Sequence, residues 1–449
     1  MKPLQMPMFS PETEWIPPTH LPDLKDHKEI AIDLETRDPG LKSSGSGSVN
    51  GNGEVVGIAV AVEGWSGYFP IAHEGGGNMD RALVLDWFEE VLHTDATKIF
   101  HNAMYDVSWI RSMGFYIRGG VIDTLIAASL IDENRWGYAL NALGKQYVGV
   151  GKNEKILNDA AKSWGIDPKA DMWRLPAPLV GEYAEQDAVL TLKLWQEMKK
   201  QIEHEDVQSI FDLETQLFPC LVDMRFLGVR VDVQQANQLK KQLVAEEQSS
   251  LLKVKKETGI DIQIWAARSI AKVFEKLNLP YDVTAKTSAP SFTKKFLQNH
   301  SHPVVQQIAR AREINKSHTT FIDTILKHSH KGRIHAEINQ IRSDQGGTVT
   351  GRFSYNNPNL QQIPARNKEL GPMIRSLFIP EEGHTWGCFD YSQQEPRLVT
   401  HYASLDGLYR VDEVLDAYND EPDTDFHKIV ADMANIPRSQ SKTINLGLF

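Results

Sequence analysis

The stretch EIAIDLETR at residues 29–37 alternates large apolar side chains with small or polar ones. This period of two predicts a β-strand whose isoleucine and leucine side chains share one face. Asp33 and Glu35 then lie together on the opposite face, about 7 Å apart along the strand. Two carboxylates held this close repel each other unless a cation bridges them. The stretch therefore predicts a strand over Ile30 to Leu34, with Asp33 and Glu35 on one face as part of a metal site.

Further strands and helices are predicted around this stretch. Apolar runs at residues 55–62 and 67–71 predict two more strands of a small antiparallel meander, and residues 98–100 predict a short strand that leads into a helix. Residues 123–145 and 181–200 are predicted to be helical. Strands first and mixed helices afterwards predict an α/β fold with an irregular sheet order.

Two helical segments carry further polar side chains at a spacing of four. Asn102 and Asp106 in HNAMYDVSWI are predicted to share one helical face, as are Tyr183 and Asp187 in GEYAEQDAVLTLKLW. Four acids without histidine or cysteine form an all-oxygen site suited to Mg²⁺, with Mn²⁺ as a substitute. Two such ions about 4 Å apart can generate a hydroxide and stabilise the leaving oxygen in phosphodiester cleavage. Tyr183 could orient the attacking water.

The three segments, in this order, resemble the motifs of the DnaQ-like 3′→5′ exonuclease superfamily, which has a ribonuclease H-like fold. The resemblance implies a metal-ligand set of Asp33, Glu35, Asp106 and Asp187, with Tyr183 as the residue that positions the water. A tyrosine there, and the segments HNAMYD and DTLIAASLID with Asn102 and Asp123, are similar to DNA polymerase I proofreading domains. Asn102 is accordingly expected to contact DNA. Each pair of residues alone is typical of a solvated strand edge or helix surface, so the assignment depends on their joint occurrence.

A second set of motifs begins at residue 213. The stretch LETQLFPCLVDMRFLGVRVD predicts an amphipathic helix followed by a short strand. Its apolar stripe comprises Leu213, Leu217, Leu221 and Met224. The stretch resembles the helix that opens the polymerase domain of family A DNA polymerases.

The stretch TVTGRFSYNNPNLQQIPAR, residues 348–366, resembles the TGR and PNLQNIP signature of the same family. Arg352, Gln361 and Arg366 can donate to phosphates and to minor-groove acceptors, whose pattern is nearly the same for every base pair. Such contacts position a primer without reading its sequence.

TWGCFDYSQQEPRLVTHYA, residues 385–403, resembles motif A of family A polymerases. The resemblance implies that Asp390 holds both catalytic magnesium ions. It also implies that Glu395 packs under the incoming sugar and excludes a 2′-hydroxyl. Gln393 and Arg397 occupy further motif positions, which the resemblance assigns to the nucleotide and to DNA.

TDFHKIVADM and PRSQSKTINLGLF resemble the fingers motifs of the family. The resemblance places His427 near the triphosphate and Leu446 beside the sugar. Arg438, Lys442 and Leu446 are four apart and form one helical face. Two cations on that face can clamp the triphosphate and stabilise charge on the leaving pyrophosphate.

The chain ends at Phe449, within the second fingers motif. The later His-Asp-Glu motif, which supplies the second metal-binding carboxylate in family A, is not part of the sequence. Two-metal nucleotidyl transfer by Asp390 alone is not expected. We therefore expect a C-terminal fragment, in a longer polymerase or in a second chain, to complete the palm and fingers.

These motifs predict an α/β, ribonuclease H-like exonuclease domain followed by a helical thumb and an incomplete palm and fingers. The expected domains are an extended arm at residues 1–28, the exonuclease at 29–205, and the N-terminal part of the polymerase domain at 206–449, with thumb about 206–345, palm about 346–400 and fingers about 401–449. The chain has a net charge of -11, yet residues 239–345 contain 18 Lys and Arg against 10 Asp and Glu, or 18 - 10 = +8. That basic segment falls where the family places the thumb that grips DNA. The expected partners are primer–template DNA, single-stranded 3′ ends and dNTPs.

No apolar run approaches the roughly 18 residues of a membrane span, and Cys220 and Cys388 provide neither a disulfide framework nor a cysteine-rich zinc site. We expect a soluble protein of the cytoplasm, or of the host cytoplasm if the source is viral. Two alternatives remain open at this stage. A stand-alone RNA exonuclease similar to ribonuclease D would explain residues 29–205 only. A decayed polymerase retained as a DNA-binding subunit would not need the intact acidic set.

Overall fold

The computed structural model describes residues 11–344, 346–365, 367–421 and 423–447. The first ten residues of the expected arm, 1–10, and Arg366 lie outside these ranges. The chain divides into two compact units, Met1–Ile379 and Pro380–Phe449, and each is described by itself. Among the helices of the described residues, none is long and apolar enough to cross a membrane.

Five strands form the main sheet of the first unit: β1 (Glu29–Arg37), β2 (Glu54–Val62), β3 (Trp65–Pro70), β4 (Thr97–Phe100) and β5 (Val121–Asp123). Their order is β3-β2-β1-β4-β5. The pairs β1–β2 and β2–β3 are antiparallel, whereas β1–β4 and β4–β5 are parallel. The predicted meander and the irregular sheet order are therefore confirmed, and β1 lies at the centre of the sheet.

Eight helices accompany this sheet: α1 (Leu41–Ser44), α2 (Gly47–Asn50), α3 (Arg81–Leu92), α4 (Ala103–Ser112), α5 (Thr124–Ile131), α6 (Leu140–Leu143), α7 (Lys155–Trp164) and α8 (Pro178–His204). A π-helical turn (Gly144–Val148) follows α6, and a 3₁₀ turn (Met172–Arg174) precedes α8. The prediction of a helix over residues 181–200 is confirmed. The prediction over residues 123–145 is wrong for 132–139, which form no helix. There the backbone N–H of Tyr138 donates to Asp344 Oδ1 at 2.7 Å, a distant partner that replaces a helical bond.

β1 separates two hydrophobic clusters, because alternate side chains of a strand point to opposite faces. Its isoleucines and its leucine join one cluster with Phe88 of α3. Ala31 joins the other cluster with Ala188 of α8. Asp33 and Glu35 continue the face of Ala31, so the strand period directs both carboxylates towards α8.

The remainder of the first unit is mainly helical. Its helices are α9 (Gln208–Leu227), α10 (Val233–Thr258), α11 (Ala267–Lys276), α12 (Lys294–Asn299), α13 (Pro303–Lys316), α14 (Asp323–His328) and α15 (Leu370–Arg375), with a π turn (Ser317–Ile322) and a 3₁₀ turn (Leu360–Gln362). Short strands pair between them: β6 (Val229–Arg230), β7 (Asp282–Val283), β8 (Pro290–Ser291), β9 (Ser329–His330), β10 (Arg333–Ile334), β11 (Glu337–Asn339) and β12 (Ser354–Asn356). α10 and α13 pack together in the expected basic helical segment.

The apolar stripe of α9 differs from the predicted one. Leu213 and Met224 are 58% and 46% exposed. The buried side chains of the helix are Phe211, Phe218, Leu221, Val222 and Arg225. Phe218 and Val222 join a hydrophobic cluster with residues of α4, whereas Phe211 stacks on Trp195 of α8.

The second unit contains four helices: α16 (Gln394–Leu405), α17 (Val411–Asp420), α18 (Phe426–Ala434) and α19 (Arg438–Gly447). α16 packs against α17, and α18 packs against α19. Its buried side chains include Val411, Tyr418, His427 and Ala431.

Candidate active site

Three carboxylates predicted as metal ligands meet between β1 and α8. Asp33, Glu35 and Asp187 each contribute an oxygen, and these atoms lie within 4.8 Å of one another. Glu35 and Asp187 are buried at 6% and 2% exposure. The strand period and the helix thus bring together acids that are more than 150 residues apart in sequence.

The electrostatics of this carboxylate cluster suit a cation. Burial and, to a lesser extent, the charge of Asp187 raise the pKa of Asp33 to about 7, although Lys152 opposes the shift. Burial also raises the pKa of Glu35 and of Asp187. Asp187 Oδ1 is buried and accepts no hydrogen bond from the described residues. An orphaned oxygen among crowded carboxylates fits a divalent metal ion, which replaces bound protons when it binds.

Asp106 lies beside this cluster rather than in the group of three. It is buried on α4, and its Oδ1 accepts a hydrogen bond from the backbone N–H of Leu34 at 3.0 Å. Burial raises the pKa of Asp106, and the charge of Asp33 raises it further. Asp106 therefore binds the β1 backbone at the residue between the two acids, and its pKa depends on their charge.

Asn102 and Asp123 meet at the start of α4. Asn102 precedes the helix with a left-handed φ of 70°, so the prediction that it shares a helical face with Asp106 is wrong. Asp123 Oδ1 accepts from the N–H groups of Asn102 and Leu125, both at 2.9 Å, and its Oδ2 accepts from that of Ala103 at 2.8 Å. Burial raises the pKa of Asp123 to about 6, although the hydrogen bonds from these three N–H groups oppose the shift. One side chain thus fixes the first turns of both α4 and α5.

Lys152 is a site residue that the sequence motifs did not indicate. It lies in the loop before α7, and its Nζ donates to Asp187 Oδ2 at 2.5 Å and to the Tyr183 hydroxyl at 3.4 Å. Burial lowers the pKa of Lys152, but the carboxylates of Asp187 and Asp33 outweigh burial, so the net shift is upward. Burial likewise raises the pKa of Tyr183. The ammonium group therefore neutralises part of the negative charge in the carboxylate cluster.

A cavity of about 430 Å³ opens beside the carboxylate cluster. Its lining includes Asn102, Asp123 and Tyr183, and also Arg225 of α9 and residues 337–341, in and after β11. Its volume falls within the roughly 300–1,000 Å³ typical of ligand pockets.

The TGR and PNLQ residues belong to the first unit, and their exposure varies, with Pro358 buried. Arg352 and Gln361 are exposed. Gln361 Nε2 donates to the backbone oxygen of Phe353 at 2.9 Å, which links the two halves of the motif. Arg366 lies outside the described residues.

In the second unit, the side chain of Gln393, a predicted nucleotide-binding residue, forms hydrogen bonds to two backbone groups of the first fingers motif. Its Nε2 donates to the Thr424 oxygen at 2.6 Å, and its Oε1 accepts from the Phe426 N–H at 2.9 Å. Asp390 and Glu395 are exposed, and Arg397 is partly exposed. Gln393 thereby joins motif A to the first fingers motif.

The fingers residues divide into a buried and an exposed group. His427 is 4% exposed, and its Nδ1 is 3.0 Å from Asn445 Nδ2 of α19. Arg438, Lys442 and Leu446 are exposed along one face of α19, and Arg438 Nε donates to Asp425 Oδ2. The predicted cationic face therefore exists, whereas His427 holds α18 against α19.

Comparisons with known proteins bear on both parts of the chain. The family described as 3'-5' exonuclease matches residues 19–203, and the family described as DNA polymerase family A matches residues 233–449. The DNA-directed DNA polymerase of Pseudomonas phage M6 is 36% identical over 479 residues, covering 99% of this chain and 70% of the relative. DNA polymerase DpoZ of Salmonella phage PMBT28 is 30% identical, and the match covers 95% of this chain and 70% of the relative. DpoZ of Acinetobacter phage SH-Ab 15497 is 33% identical, covering 81% and 62%.

A solved structure supports the same architecture. The POL domain of Pol1 from M. smegmatis, in complex with DNA primer-template and dNTP, matches with a TM-score of 0.69 and 20% identity, over 94% of this chain and 68% of that one. At this identity the likeness shows the fold alone. Together with the two family matches it confirms the predicted fold class. The match over residues 233–449 also favours a polymerase over a ribonuclease D-like exonuclease, and the chain spans 62% to 70% of the three phage relatives.

Proposed function

Because this chain belongs to DNA polymerase family A and carries its 3′–5′ exonuclease domain, we propose that it excises nucleotides from single-stranded 3′ ends during DNA replication. The observation that carries this proposal is the carboxylate cluster, with three oxygens from Asp33, Glu35 and Asp187 within 4.8 Å. We propose residues 29–205 as the exonuclease domain. Its working compartment would be the cytoplasm, of the host if the source is viral.

The cluster would hold Mg²⁺, with Mn²⁺ as a substitute, through Asp33, Glu35 and Asp187, and Asp106 would complete the ligand set. Held by these residues, the ion would supply Lewis acidity that activates water at neutral pH and offsets negative charge on the phosphate. Tyr183, buried beside Asp187 on α8, orients the attacking water through its hydroxyl. Asn102 lines the adjacent cavity, where it contacts the terminal nucleotide.

The exonuclease proposal is tested with residues 1–449 and a 5′-labelled single-stranded DNA. Asp33→Ala combined with Glu35→Ala is expected to abolish magnesium-dependent shortening from the 3′ end. Asp86→Ala combined with Glu90→Ala is the matched control, because both acids are exposed on α3. Magnesium-dependent degradation that persists in the purified Asp33/Glu35 variant would reject the assignment.

We propose that residues 206–449 form the N-terminal part of the polymerase domain, with thumb about 206–345, palm about 346–400 and fingers about 401–449. Its partners are primer–template DNA and dNTPs. The proposed DNA contacts are Arg352, Gln361, Arg366 and Arg397, the proposed metal ligand is Asp390, and the proposed nucleotide contacts are Gln393, Glu395, His427, Arg438, Lys442 and Leu446. The exposed cations of α19 support the clamp on the triphosphate.

Nucleotidyl transfer by residues 1–449 alone is not expected, because two-metal transfer needs a second carboxylate beside Asp390. Within the described residues, the cluster of three possible metal ligands that we find contains Asp33, Glu35 and Asp187, not Asp390. The test uses the Asp33→Ala, Glu35→Ala background, in which the primer is not degraded. Extension is expected only when a C-terminal fragment that carries the second carboxylate is added, and Asp390→Asn should abolish it. Primer extension by the isolated chain would refute this proposal.

A further inference from the structure

Arg225 on α9 is a buried cation, and the residue is only 4% exposed. Its Nη1 makes two long hydrogen bonds, to the Met104 oxygen at 3.5 Å and to Ser108 Oγ at 3.4 Å. Its Nε is buried and has no hydrogen-bond partner among the described residues. Within the ranges that the structure describes, no ion pair within 4 Å includes this guanidinium.

A buried guanidinium in this state carries a large desolvation penalty that its present bonds do not offset. Burial lowers the pKa of Arg225, and the more distant carboxylates of Glu337 and Asp38 oppose that shift. The buried cation Lys98 is satisfied locally, because its Nζ donates to the Thr94 and Arg118 backbone oxygens at 2.5 and 2.8 Å. The contrast indicates that the Arg225 partner is a ligand rather than part of the fold.

The position of Arg225 specifies the kind of ligand. The residue lines the 430 Å³ cavity, which Tyr183 and Asn102 also line. Lys169 lines the same cavity. A nucleic-acid backbone that approaches three carboxylates is repelled by them, so cations beside the site are needed to hold it. Guanidinium presents a planar fork of donors that matches the geometry of a phosphate group.

We propose that Arg225 is a positioning residue of the exonuclease reaction, and that it binds an internucleotide phosphate of single-stranded DNA in this cavity. The inference rests on the proposed exonuclease function. It places one DNA contact on α9, outside the segment 29–205, which carries the carboxylates. Arg225 does not touch the scissile phosphate and acts by holding the strand.

The first test compares Arg225→Gln with the wild-type chain in steady-state excision from a single-stranded oligonucleotide. A charge-assisted hydrogen bond to phosphate corresponds to a rise of about 10- to 100-fold in KM. The kcat should stay within about twofold, because the contact is the same in ground state and transition state. The KM of Arg225→Lys, which keeps the charge but loses the planar fork of donors, should lie between the KM of the wild-type chain and that of Arg225→Gln.

Arg111→Gln is the matched control. Arg111 lies on the neighbouring helix α4, pairs with Asp223 at 3.0 Å and does not line the cavity. Its removal changes the net charge equally and is expected to leave KM within about twofold. An equal rise in KM for both variants would overturn the proposal, because it would reflect general charge rather than one contact.

The second test locates the phosphate. A single neutral methylphosphonate is moved through the last four linkages of the oligonucleotide. At one of these linkages the methylphosphonate should raise the KM of the wild-type chain but should not raise the KM of Arg225→Gln any further. Thymidine 5′-p-nitrophenyl phosphate, which has no internucleotide phosphate, should be hydrolysed equally by both proteins. Methylphosphonate effects that are the same in both proteins at every position would refute the proposal.

Measurements of melting temperature and of exonuclease activity distinguish the remaining explanations for Arg225. Because the guanidinium lacks a counter-ion, Arg225→Gln should melt at the same temperature as the wild-type chain or higher. A lower melting temperature would assign Arg225 a structural role and overturn the proposal. An inactive wild-type chain would instead contradict the proposed exonuclease function, whereas active wild type with unchanged Arg225→Gln would contradict only this inference.

Discussion

Lys152→Met tests whether the ammonium group balances the charge of the carboxylate cluster. Lys152 Nζ is 2.5 Å from Asp187 Oδ2, and the two side chains are 14% and 3% exposed. Removal of one partner from such a buried pair costs about 3–5 kcal/mol. At roughly 2 °C per kcal/mol, the melting temperature of the metal-free variant should fall by about 6–10 °C at pH 8.

The loss of stability caused by Lys152→Met should be much smaller in two conditions. Saturating Mg²⁺ supplies positive charge to the same carboxylates, so the difference from the wild-type chain should shrink to below about 1 kcal/mol. At pH 5 the deficit should also be smaller, because the raised pKa of Asp33, about 7, leaves that carboxyl protonated there. Lys152 itself stays charged at both pH values, since its pKa is raised. The pH dependence therefore comes from the carboxylates.

The assay is thermal melting of residues 1–449 in EDTA at pH 8, in EDTA at pH 5, and in Mg²⁺ at pH 8. Lys155→Met is the matched control, because Lys155 is exposed three residues further along and should change stability by less than about 0.5 kcal/mol. An equal deficit for Lys152→Met in all three conditions would refute the reasoning, since it would indicate lost packing instead of lost charge balance. No deficit in EDTA at pH 8 would refute it as well.

Two further predictions concern the same site. The pKa of Asp33 is raised from 3.8 to about 7, so the folded state binds more protons than the unfolded state between about pH 4 and pH 7. The metal-free chain should therefore lose stability as the pH rises through that window, and Mg²⁺ should raise the melting temperature more at pH 8 than at pH 5; a rise that is equal at both pH values would contradict this. Asp123→Asn should leave the buried N–H of Ala103 facing an amide nitrogen, at a cost of about 1–3 kcal/mol in urea unfolding. Asp95→Asn, an exposed change, is its control, and equal unfolding midpoints would show that Asp123 does not fix α4.

The sequence predicted the centre of the site because β1 has a strong local pattern. A period of two directs Asp33 and Glu35 to one face, and the same period buries Ile30 and Ile32 on the other. The helical spacing of Tyr183 and Asp187 likewise places both on α8. These placements depend on near neighbours in sequence, and such neighbours determine which face of an element a side chain occupies.

The parts that sequence could not predict depend on contacts between distant residues. Lys152 belongs to a glycine-rich loop without periodicity, and its partner Asp187 lies 35 residues away. Asn102 adopts a left-handed conformation because Asp123 binds its N–H, which a spacing rule cannot indicate. In α9, helical spacing does not show which apolar side chains face the neighbouring helices, and the structure buries Phe218 and Val222 rather than Leu213 and Met224.

These distant contacts also bear on how proofreading is connected to the rest of the polymerase. Tyr138 donates to Asp344, and Gln340 Nε2 donates to the Glu214 backbone oxygen at 2.7 Å. Residues 337–341 line the cavity beside the carboxylates, and all of these residues belong to the first compact unit. A change in β11 or α9 would therefore alter the space available to a 3′ end without moving a metal ligand. In this arrangement the selectivity of excision can change through polymerase-side residues while Asp33, Glu35 and Asp187 stay fixed.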